Sequence, residues 1–427
     1  MDQERSSHGQ CGIVRGLPFA LIGPRRLAGR AAGLLGLFFL AALSPARAAS
    51  AEITGPVVRT ICPTGCDLPT IVPAARDWLS DQKITGQGRV TLQLRDGVHD
   101  AAGEFSVADP QGGRVTIVGN CETPAATVVN FTDTSANRHG FAARHGGAIG
   151  LVDCLVANAI GARGDAEHSW NHERYGGGVY AYGSGSWIKV GPRVTIRNFY
   201  YSLFADGGAS IEASGVRMEN AGDCNVLSRF ASHIHCHKCH AINAGHRGTE
   251  ASGRPLVLGY NYMAEAGASM LVDESIGERG LVASVAAINN GAAWAHGYTG
   301  RLSKSGALVF ERGSIELDDA KLHDNVNGAR GDTGGWLSLK GAEIWNSEGD
   351  GVLLIGASAG LEFANIHDNG RGPAGGYGVN VRNQGHARGN DVRFADNASG
   401  NTRVENTDQG CETPFGSCRP RSFLYLR

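Results

Sequence analysis

A short phrase recurs along this chain and strongly limits what the chain can fold into. In its clearest copy, from Ile315 to Asp324, small or apolar residues stand at steps of +2, +3 and +2, and an Asp follows two residues later. Seven copies fit this register, and neighbouring copies often begin 22 or 23 residues apart. A period of this length is typical of a solenoid. The closing residues of the copies are Asn158, Asn220, Asn243, Asp324, Asn346, Asp368 and Asp396.

The step sizes predict which kind of solenoid this is. A +2 step is the alternation of a β-strand, in which every second side chain lies on one face. The +3 step in mid-phrase predicts a bend between two short strands, and the repeat leaves no room for a helix. The chain is therefore predicted to be an all-β parallel β-helix in which each coil depends on its neighbours. The closing Asn and Asp residues are expected to stack as an internal polar ladder.

Composition agrees with one large, turn-rich domain. The chain has 427 residues and 63 glycines, about double the usual share. Its formal net charge of −2 gives no electrostatic footprint for nucleic acid. After residue 48 no stretch reaches the roughly 18 apolar residues that a transmembrane helix needs. We therefore predict no nucleic-acid partner and no transmembrane segment, and the oligomeric state stays open.

The N-terminus has the features of a targeting segment. Arg25, Arg26 and Arg30 precede an apolar run from Ala31 to Leu43, and Ala46-Arg-Ala48 offers a cleavage site between small residues. A membrane anchor is the alternative, but this run is too short to span a bilayer. Residues 1–48 are therefore predicted to be a signal peptide, and the mature protein is expected to be secreted or periplasmic.

The cysteines fit an oxidising compartment. Ten are present, and Cys11 would leave with the signal peptide. Pairing is expected for the rest, and the partner of Cys121 is left open. Cys154, Cys236 and Cys239 stand at inward positions of the repeat, where they can serve as small buried residues. The candidate disulfides are local pairs near the two ends of the solenoid: Cys62 with Cys66, and Cys411 with Cys418.

The predicted domain order begins with a cap. Residues 49–89 hold a Cys-bounded loop and a short amphipathic helix, which we expect to cover the open first coil. Residues 90–405 form the β-helix, and residues 406–427 form a Cys-bounded tail. The apolar face of the helix comprises Ile71, Ala74, Ala75, Trp78 and Leu79.

The opening of the domain resembles a known superfamily. A helix with Thr70-Ile71 and Trp78-Leu79, a strand at Val90–Leu94, Asp96-Gly97 and then Val115–Asn120 follow one another. This order resembles the right-handed parallel β-helix proteins of the pectin-lyase-like superfamily, including secreted polysaccharide lyases and phage tail-fibre depolymerases. The resemblance covers roughly residues 60 to 405 and implies the fold. Members of that superfamily include lyases, hydrolases, epimerases and adhesins, so the activity needs its own argument.

The register aligns outward residues of successive coils into columns, because adjacent coils stack about 4.8 Å apart. Just before the closing residue stand His323, Trp345 and His367, and two residues earlier the same strands carry Lys321, Glu343 and Asn365. A sugar ring can stack on Trp and hydrogen-bond to such polar groups. The alternative is a plain solvated face. The predicted substrate-binding residues are Lys321, His323, Glu343, Trp345, His367 and Arg393.

A second cluster runs from Ser232 to His240 and holds four His and two Cys. This composition suggests zinc, but the register turns Cys236 and Cys239 inward and the imidazoles outward, so we predict no metal. His233 and His235 share the outer face, about 7 Å apart. They are candidate catalytic residues, with a structural or surface role as the alternative.

A third cluster is the inserted segment from Arg163 to Tyr175. Functional residues concentrate on such loops, and His172, Arg174 and Tyr175 are candidate catalytic residues. Cleavage of an acidic polysaccharide by β-elimination needs a cation for the uronate carboxylate, a base for the C5 proton and an acid such as Tyr or His. A loop without function is the alternative.

The predicted function is cleavage of a uronate-containing polysaccharide by an exported lyase. The rival is a non-catalytic carbohydrate-binding or structural surface protein. The sequence lacks the acidic calcium ligands of pectate lyases and the Gly-His-Gly of polygalacturonases, whose remaining motifs occur here in the wrong order. We expect no cofactor, although calcium stays open. The lyase interpretation requires one groove that collects a base, an acid and a cation.

Overall fold

Three long parallel sheets make up the protein. The structure is a computed structural model that describes residues 51–134, 138–161, 176–249, 255–405 and 423–426. The sheets have 14, 12 and 12 strands, and we call them sheet 1, sheet 2 and sheet 3. From Arg89 onward the chain visits them in the order 1, 2, 3, so each coil gives one short strand to each sheet. The predicted parallel β-helix is confirmed.

The strands of sheet 1 are Pro56–Ile61, Arg89–Leu94, Val115–Val118, Ala148–Asp153, Trp187–Val190, Ser210–Ser214, His233–His237, Ser269–Asp273, Ala292–His296, Ser314–Asp318, Trp336–Ser338, Ser358–Gly360, His386–Gly389 and Phe423–Leu426. Those of sheet 2 are Gly97–Ala101, Thr127–Phe131, Leu155–Ala159, Val194–Arg197, Arg217–Glu219, His240–Ile242, Ile276–Glu278, Thr299–Arg301, Lys321–His323, Glu343–Trp345, Asn365–His367 and Arg393–Ala395. Those of sheet 3 are Phe105–Val107, Phe141–Arg144, Gly177–Tyr182, Tyr201–Asp206, Cys224–Arg229, Tyr260–Glu265, Ala283–Ile288, Ser305–Phe310, Asn327–Asp332, Val352–Ile355, Val379–Arg382 and Thr402–Glu405.

Four further strands lie outside these sheets. Ala51–Ile53 pairs in parallel with Gln82–Ile84. An antiparallel hairpin of His246–Thr249 and Pro255–Leu258 is inserted between a strand of sheet 2 and a strand of sheet 3. Short 3-10 turns occur at Pro110–Arg114 and Pro124–Ala126.

The core follows the repeated phrase. Ile315, Leu317, Ala320 and Leu322 are all buried, and Ile315 stands directly beside Leu337 of the next coil. Each inward side chain therefore contacts its equivalents above and below, so the apolar core is continuous along the stack. Burial of this surface is the main stabilising contribution, and it is shared between neighbouring coils.

The copy near Ile149 departs from the predicted phase. The register shifts between Ile149 and Val152, so Val152 is buried while Leu151 is half-exposed. An extra residue at a β-bulge moves later side chains to the other face. Cys154 lies in the bend that follows and forms a disulfide with Cys121. The interpretation of Cys154 as a plain buried residue is therefore wrong.

The closing residues have a backbone role. Asn198, Asn220 and Asp324 have φ of 64°, 57° and 56°, and Asn and Asp adopt this left-handed conformation more readily than other side chains. Several do stack, as where Asn198 Nδ2 donates to Asn158 Oδ1 over 2.8 Å. These residues are only half-buried.

The fully internal ladder lies one residue later than predicted. In the last coils Asn369 is buried, and its Oδ1 accepts from the backbone N–H of Ser347 over 3.1 Å. Asn397 Oδ1 accepts in turn from the N–H of Asn369 over 3.2 Å. We expected the closing residues to form hydrogen bonds with the bent backbone of adjacent coils. The residues that directly follow them form these bonds instead.

The N-terminal segment contains a short helix. Thr70 precedes a helical turn at Ile71–Ala75, which is interrupted at Val72, and an α-helix follows at Arg76–Ser80. Ile71 and Ala75 are buried, and the predicted apolar residues Trp78 and Leu79 pack against the same core. The capping role of this helix stays a prediction.

The predicted disulfide between Cys62 and Cys66 is present. Its predicted counterpart, Cys411 with Cys418, and the signal peptide lie outside the described residues. Within the described part of the chain, no helix is long and apolar enough to cross a bilayer.

Candidate functional site

The predicted catalytic pair His233 and His235 lies on the outer face of sheet 1. His235 Nε2 is 3.7 Å from Asp273 Oδ2, and His233 Nδ1 is 2.9 Å from Ser269 Oγ. Burial, helped by the neighbouring His235, lowers the pKa of His233. The pair therefore has a carboxylate and a hydroxyl for partners, and it faces away from the core.

The two thiols of the same cluster lie on the opposite side of the strand. Cys236 and Cys239 are buried in the core. Among the described residues, the side-chain group close enough to hold a metal ion is Cys121, Asp153 and Cys154. The two cysteines of that group are joined in a disulfide, so they offer no thiolate. The structure thus agrees with the predicted separation of thiols from imidazoles.

The predicted column on sheet 2 exists in the predicted register. Lys321 stands beside Glu343, and His323, Trp345 and His367 follow one another on successive strands. The ring of Trp345 is stacked with that of His323 at 4.4 Å and with that of His367 at 6.1 Å. Imidazoles therefore occupy the positions above and below the indole. Binding of a sugar ring to Trp345 stays a prediction, and it would have to take place beside these two imidazoles.

Neighbouring carboxylates hold the two imidazoles in place. His323 Nδ1 is 2.6 Å from Asp324 Oδ2, and His367 Nδ1 is 2.9 Å from Asp368 Oδ2. The hydrogen bond from His367 lowers the pKa of Asp368. Burial would raise the pKa of Asp324, but hydrogen bonds from His323 and a neighbouring amide outweigh it and lower that pKa. The imidazole and indole rings of this column therefore contact other side chains of the protein. The side chains of Lys321 and Arg393 remain exposed to solvent.

The inserted segment with His172, Arg174 and Tyr175 lies outside the described residues. Its flanks are a sheet 2 strand ending at Ala159 and a sheet 3 strand beginning at Gly177. The predicted pair His233 and His235 is on sheet 1, and the predicted substrate column is on sheet 2. The structure therefore does not bring these two predicted groups onto one sheet face.

The outer face of sheet 3 carries a cluster that the sequence did not reveal. One column holds Arg144, Tyr182, Asp206, Arg229 and Glu265 on five successive strands. Charged groups on an outer face normally stay in water, yet Asp206 is buried and Glu265 is half-buried. We call the column, together with Tyr180 and Phe204, the sheet 3 cluster.

Arg229 is held rigidly within this cluster. Its guanidinium carbon lies 5.1 Å from the centre of the Phe204 ring and 4.9 Å from that of Phe230. One nitrogen donates to Asp206 Oδ2 over 2.8 Å. Nε is buried, and no residue in the described part of the chain accepts its hydrogen. A buried unpaired donor costs about 1–3 kcal/mol, while the Arg229 side chain as a whole is 22% exposed.

Glu265 stands beside Arg229 on the next strand. Burial raises the pKa of its carboxyl to about 7; Arg229 opposes the rise, and Asp223 and Asp206 add to it. Among the described residues no hydrogen bond or ion pair reaches this carboxyl. Glu265 is therefore a carboxyl group that exchanges a proton near neutral pH.

Two tyrosines extend the cluster. Tyr180 stacks on His139 with ring centres 3.8 Å apart, and burial raises its pKa. Tyr182 is 37% exposed and stands between Arg144 and Asp206 in the column. Arg144 is itself bound by Glu104 over 2.7 Å. A cation, a carboxyl and, three strands from that carboxyl, an accessible phenol thus share one face.

Comparison with known proteins gives the fold. No protein-family profile and no curated protein matches the chain. Among solved structures, the Agl-KA catalytic domain matches with a TM-score of 0.51 and 13% identity, over 79% of this chain and 63% of that one. The chain has the right-handed parallel β-helix fold.

Two further structures are similar at low identity. One is the A-module of the Azotobacter vinelandii mannuronan C-5 epimerase AlgE4, with a TM-score of 0.49 and 12% identity over 78% of this chain and 90% of that one. The other is the Dettilon tailspike protein, with a TM-score of 0.39 and 9% identity over 79% of this chain and 62% of that one. At these identities the likeness concerns the fold alone.

The sequence does hold one signal for the sheet 3 cluster of this β-helix. The strands ending at Asp206, Arg229 and Glu265 are each 6 residues long and each close an otherwise largely apolar run with a charge. Aligning these three strands at their last residues places the three charged side chains in one column. The repeated phrase describes strands of sheets 1 and 2 only, so it does not align these charges of sheet 3.

Proposed function

We propose that this protein is an exported enzyme that cleaves a uronate-containing polysaccharide by β-elimination at the sheet 3 cluster. The observation that carries the proposal is the pairing of a cation, Arg229, with a carboxyl group, Glu265, on neighbouring strands of one face. The reaction requires a cation for the uronate carboxylate and a base for the C5 proton. Perturbed pKa values at such a cluster also favour a functional site over an ordinary surface.

In the proposed reaction the substrate carboxylate pairs with the guanidinium group of Arg229, whose side chain is 22% exposed. This contact stabilises the negative charge that develops when C5 loses its proton. Glu265, in its ionised form, takes that proton. The electron pair of the C5–H bond forms the C4–C5 double bond, and the bond between C4 and the bridging oxygen breaks. The leaving oxygen takes a proton from water.

The surroundings suit these roles. Phe204 and Phe230 fix the guanidinium of Arg229 between them, so little ordering is needed when substrate binds. A pKa of about 7 for Glu265 allows a useful fraction of base at neutral pH while keeping good proton affinity. The rate is expected to rise as pH increases through about 7, since only the carboxylate form accepts the proton.

The first experiment is a screen of acidic polysaccharides for the ultraviolet absorbance of an unsaturated product. Glu265→Gln should lower turnover at least roughly 100-fold, because the amide cannot accept the C5 proton. Glu316→Gln is the matched control, since Glu316 is an exposed carboxylate on sheet 1. Equal loss in both variants, or full activity of Glu265→Gln, would remove Glu265 from the reaction.

His235→Ala separates this site from the sequence-based prediction. If the sheet 3 cluster performs the reaction, the variant keeps most of its turnover, because His235 is on sheet 1. If His235→Ala abolishes turnover without unfolding the protein while Glu265→Gln remains active, the reaction belongs to the pair His233 and His235.

A second candidate function is carbohydrate binding without cleavage. It is favoured by exposed indoles on the outer face of sheet 1, where Trp187 and Trp294 are 39% and 40% exposed. Such rings offer open stacking surfaces to sugars. Retained binding of one acidic polysaccharide with no unsaturated product from any would select this function, and Trp294→Ala should then weaken the binding.

Export is part of the proposal and has its own measurement. The N-terminal sequence of protein secreted by a bacterial host should begin at residue 49, directly after Ala48. An intact N-terminus on protein recovered outside the cytoplasm would contradict the predicted cleavage.

A further inference from the structure

Cys236 and Cys239 lie together in the core at a bend. The sheet 1 strand ends at His237 and the sheet 2 strand begins at His240. Between them Lys238 has φ of 55°, which turns the chain sharply. Both cysteine side chains are buried and both are thiols in the structure.

The same two inward positions are close in every regular coil. Equivalent pairs include Leu317 with Ala320, which are both buried on the two sides of their bend. Residues three apart across a turn have Cα atoms within about 7 Å, and a disulfide needs about 4.4–6.8 Å. A bend flanked by two inward cysteines three residues apart is therefore a place where a disulfide can form.

The two thiols also influence each other in the folded protein. The neighbouring Cys239 side chain and burial raise the pKa of Cys236. Cys239 Sγ is 3.7 Å from the backbone oxygens of Ala213 and of His237.

We propose that Cys236 and Cys239 form a disulfide in the mature protein and tie the bend between sheets 1 and 2. One of the two thiolates first attacks a thiol–disulfide oxidant, which forms a mixed disulfide and releases one thiol of the oxidant. The thiolate of the other cysteine then attacks the protein sulfur of the mixed disulfide, the new S–S bond forms, and the rest of the oxidant leaves as a second thiol. In total two protein thiols are oxidised and one disulfide of the oxidant is reduced to two thiols.

The order of events follows from burial. The folded coils exclude an oxidant from both sulfurs, so the bond forms before the neighbouring coils close over the pair. Only two residues separate the cysteines, so they meet without the rest of the fold. Cys224, on sheet 3, has a different neighbour, since its sulfur is 3.8 Å from that of Met263. It is expected to stay outside this bond.

Trypsin makes the proposal directly testable. Cleavage after Arg217, Arg229, Lys238 and Arg247 places Cys236 in peptide 230–238, Cys239 in peptide 239–247 and Cys224 in peptide 218–229. Full-length protein exported to a bacterial periplasm would be denatured in acid, alkylated without reduction and digested. We expect peptides 230–238 and 239–247 to stay joined until a reductant is added, and peptide 218–229 to be alkylated.

Two variants complete the test. Cys224→Ala should leave the joined peptides unchanged, whereas Cys236→Ala combined with Cys239→Ala should melt at a lower temperature than the exported wild type. Separate, alkylated peptides 230–238 and 239–247, or a link from either of them to peptide 218–229, would overturn the proposal. The peptide pattern does not depend on any enzymatic activity, so failure of the lyase proposal would leave it unaffected.

Discussion

At the scale of single residues, the repeated Asn or Asp that closes each phrase has two possible explanations, a left-handed backbone and internal hydrogen bonding. The sequence predicted them from their repetition and assigned them to an internal ladder. In the structure Asn220 and Asp324 have a left-handed backbone conformation. The internal hydrogen bonds to the backbone are formed by buried residues one position later, such as Asn369. Asn satisfies both requirements equally well. The residue type alone therefore could not decide between them.

Glu265 offers a prediction at the same scale. Its pKa is raised to about 7 by burial, so the folded state binds the proton more tightly than the unfolded state. The free energy of unfolding should then fall as pH rises from about 4.5 to 7. Glu265→Gln removes this fall and should be more stable than wild type at pH 8, by on the order of 1 kcal/mol.

Urea unfolding of both proteins at pH 5 and pH 8 measures this difference. Glu316→Gln serves as the control, because its side chain is exposed and little change is expected there. A difference between wild type and Glu265→Gln that stays the same at both pH values would contradict the raised pKa.

At the scale of strands, the sequence predicted neighbours well and ring contacts poorly. The column of His323, Trp345 and His367 was found from alternation and period alone, and the pairing confirms it. The face-to-face contact of the rings depends on side-chain rotamers and on the carboxylates of Asp324 and Asp368. Alternation fixes which face a side chain occupies and leaves its rotamer undetermined.

Trp345→Ala tests whether this column is structural. Removing the indole takes away two ring contacts and half-buried apolar surface, so the free energy of unfolding should fall by about 2 kcal/mol. Trp294→Ala, which removes an exposed indole from sheet 1, should change it by less than about 0.5 kcal/mol. Chemical denaturation of the two variants gives the comparison. Unchanged stability of Trp345→Ala with lost polysaccharide binding would support the predicted sugar-stacking role.

At the scale of the whole molecule, the repeat in the sequence did not predict the sheet 3 cluster. Tyr182 and Glu265 belong to one column, yet the hairpin of His246–Thr249 and Pro255–Leu258 lies between their positions in the chain. An insertion changes the sequence spacing without changing the stacking. A fixed period therefore loses the alignment across the inserted hairpin.

The two disulfides make different contributions along this stack. Cys121 and Cys154 join neighbouring coils and close a loop with a sequence separation of 33, whereas Cys62 and Cys66 are separated by 4. The longer loop restricts the unfolded chain more, with chain-entropy values near 4 and 2 kcal/mol, respectively. In a solenoid, loss at an interior coil also weakens the coils on both sides.

Replacing Cys121 and Cys154 by Ala should therefore lower the melting temperature more than replacing Cys62 and Cys66, as calorimetry would measure. An equal or reversed order would mean that the terminal loop, rather than the contact between coils, limits the stability of the molecule.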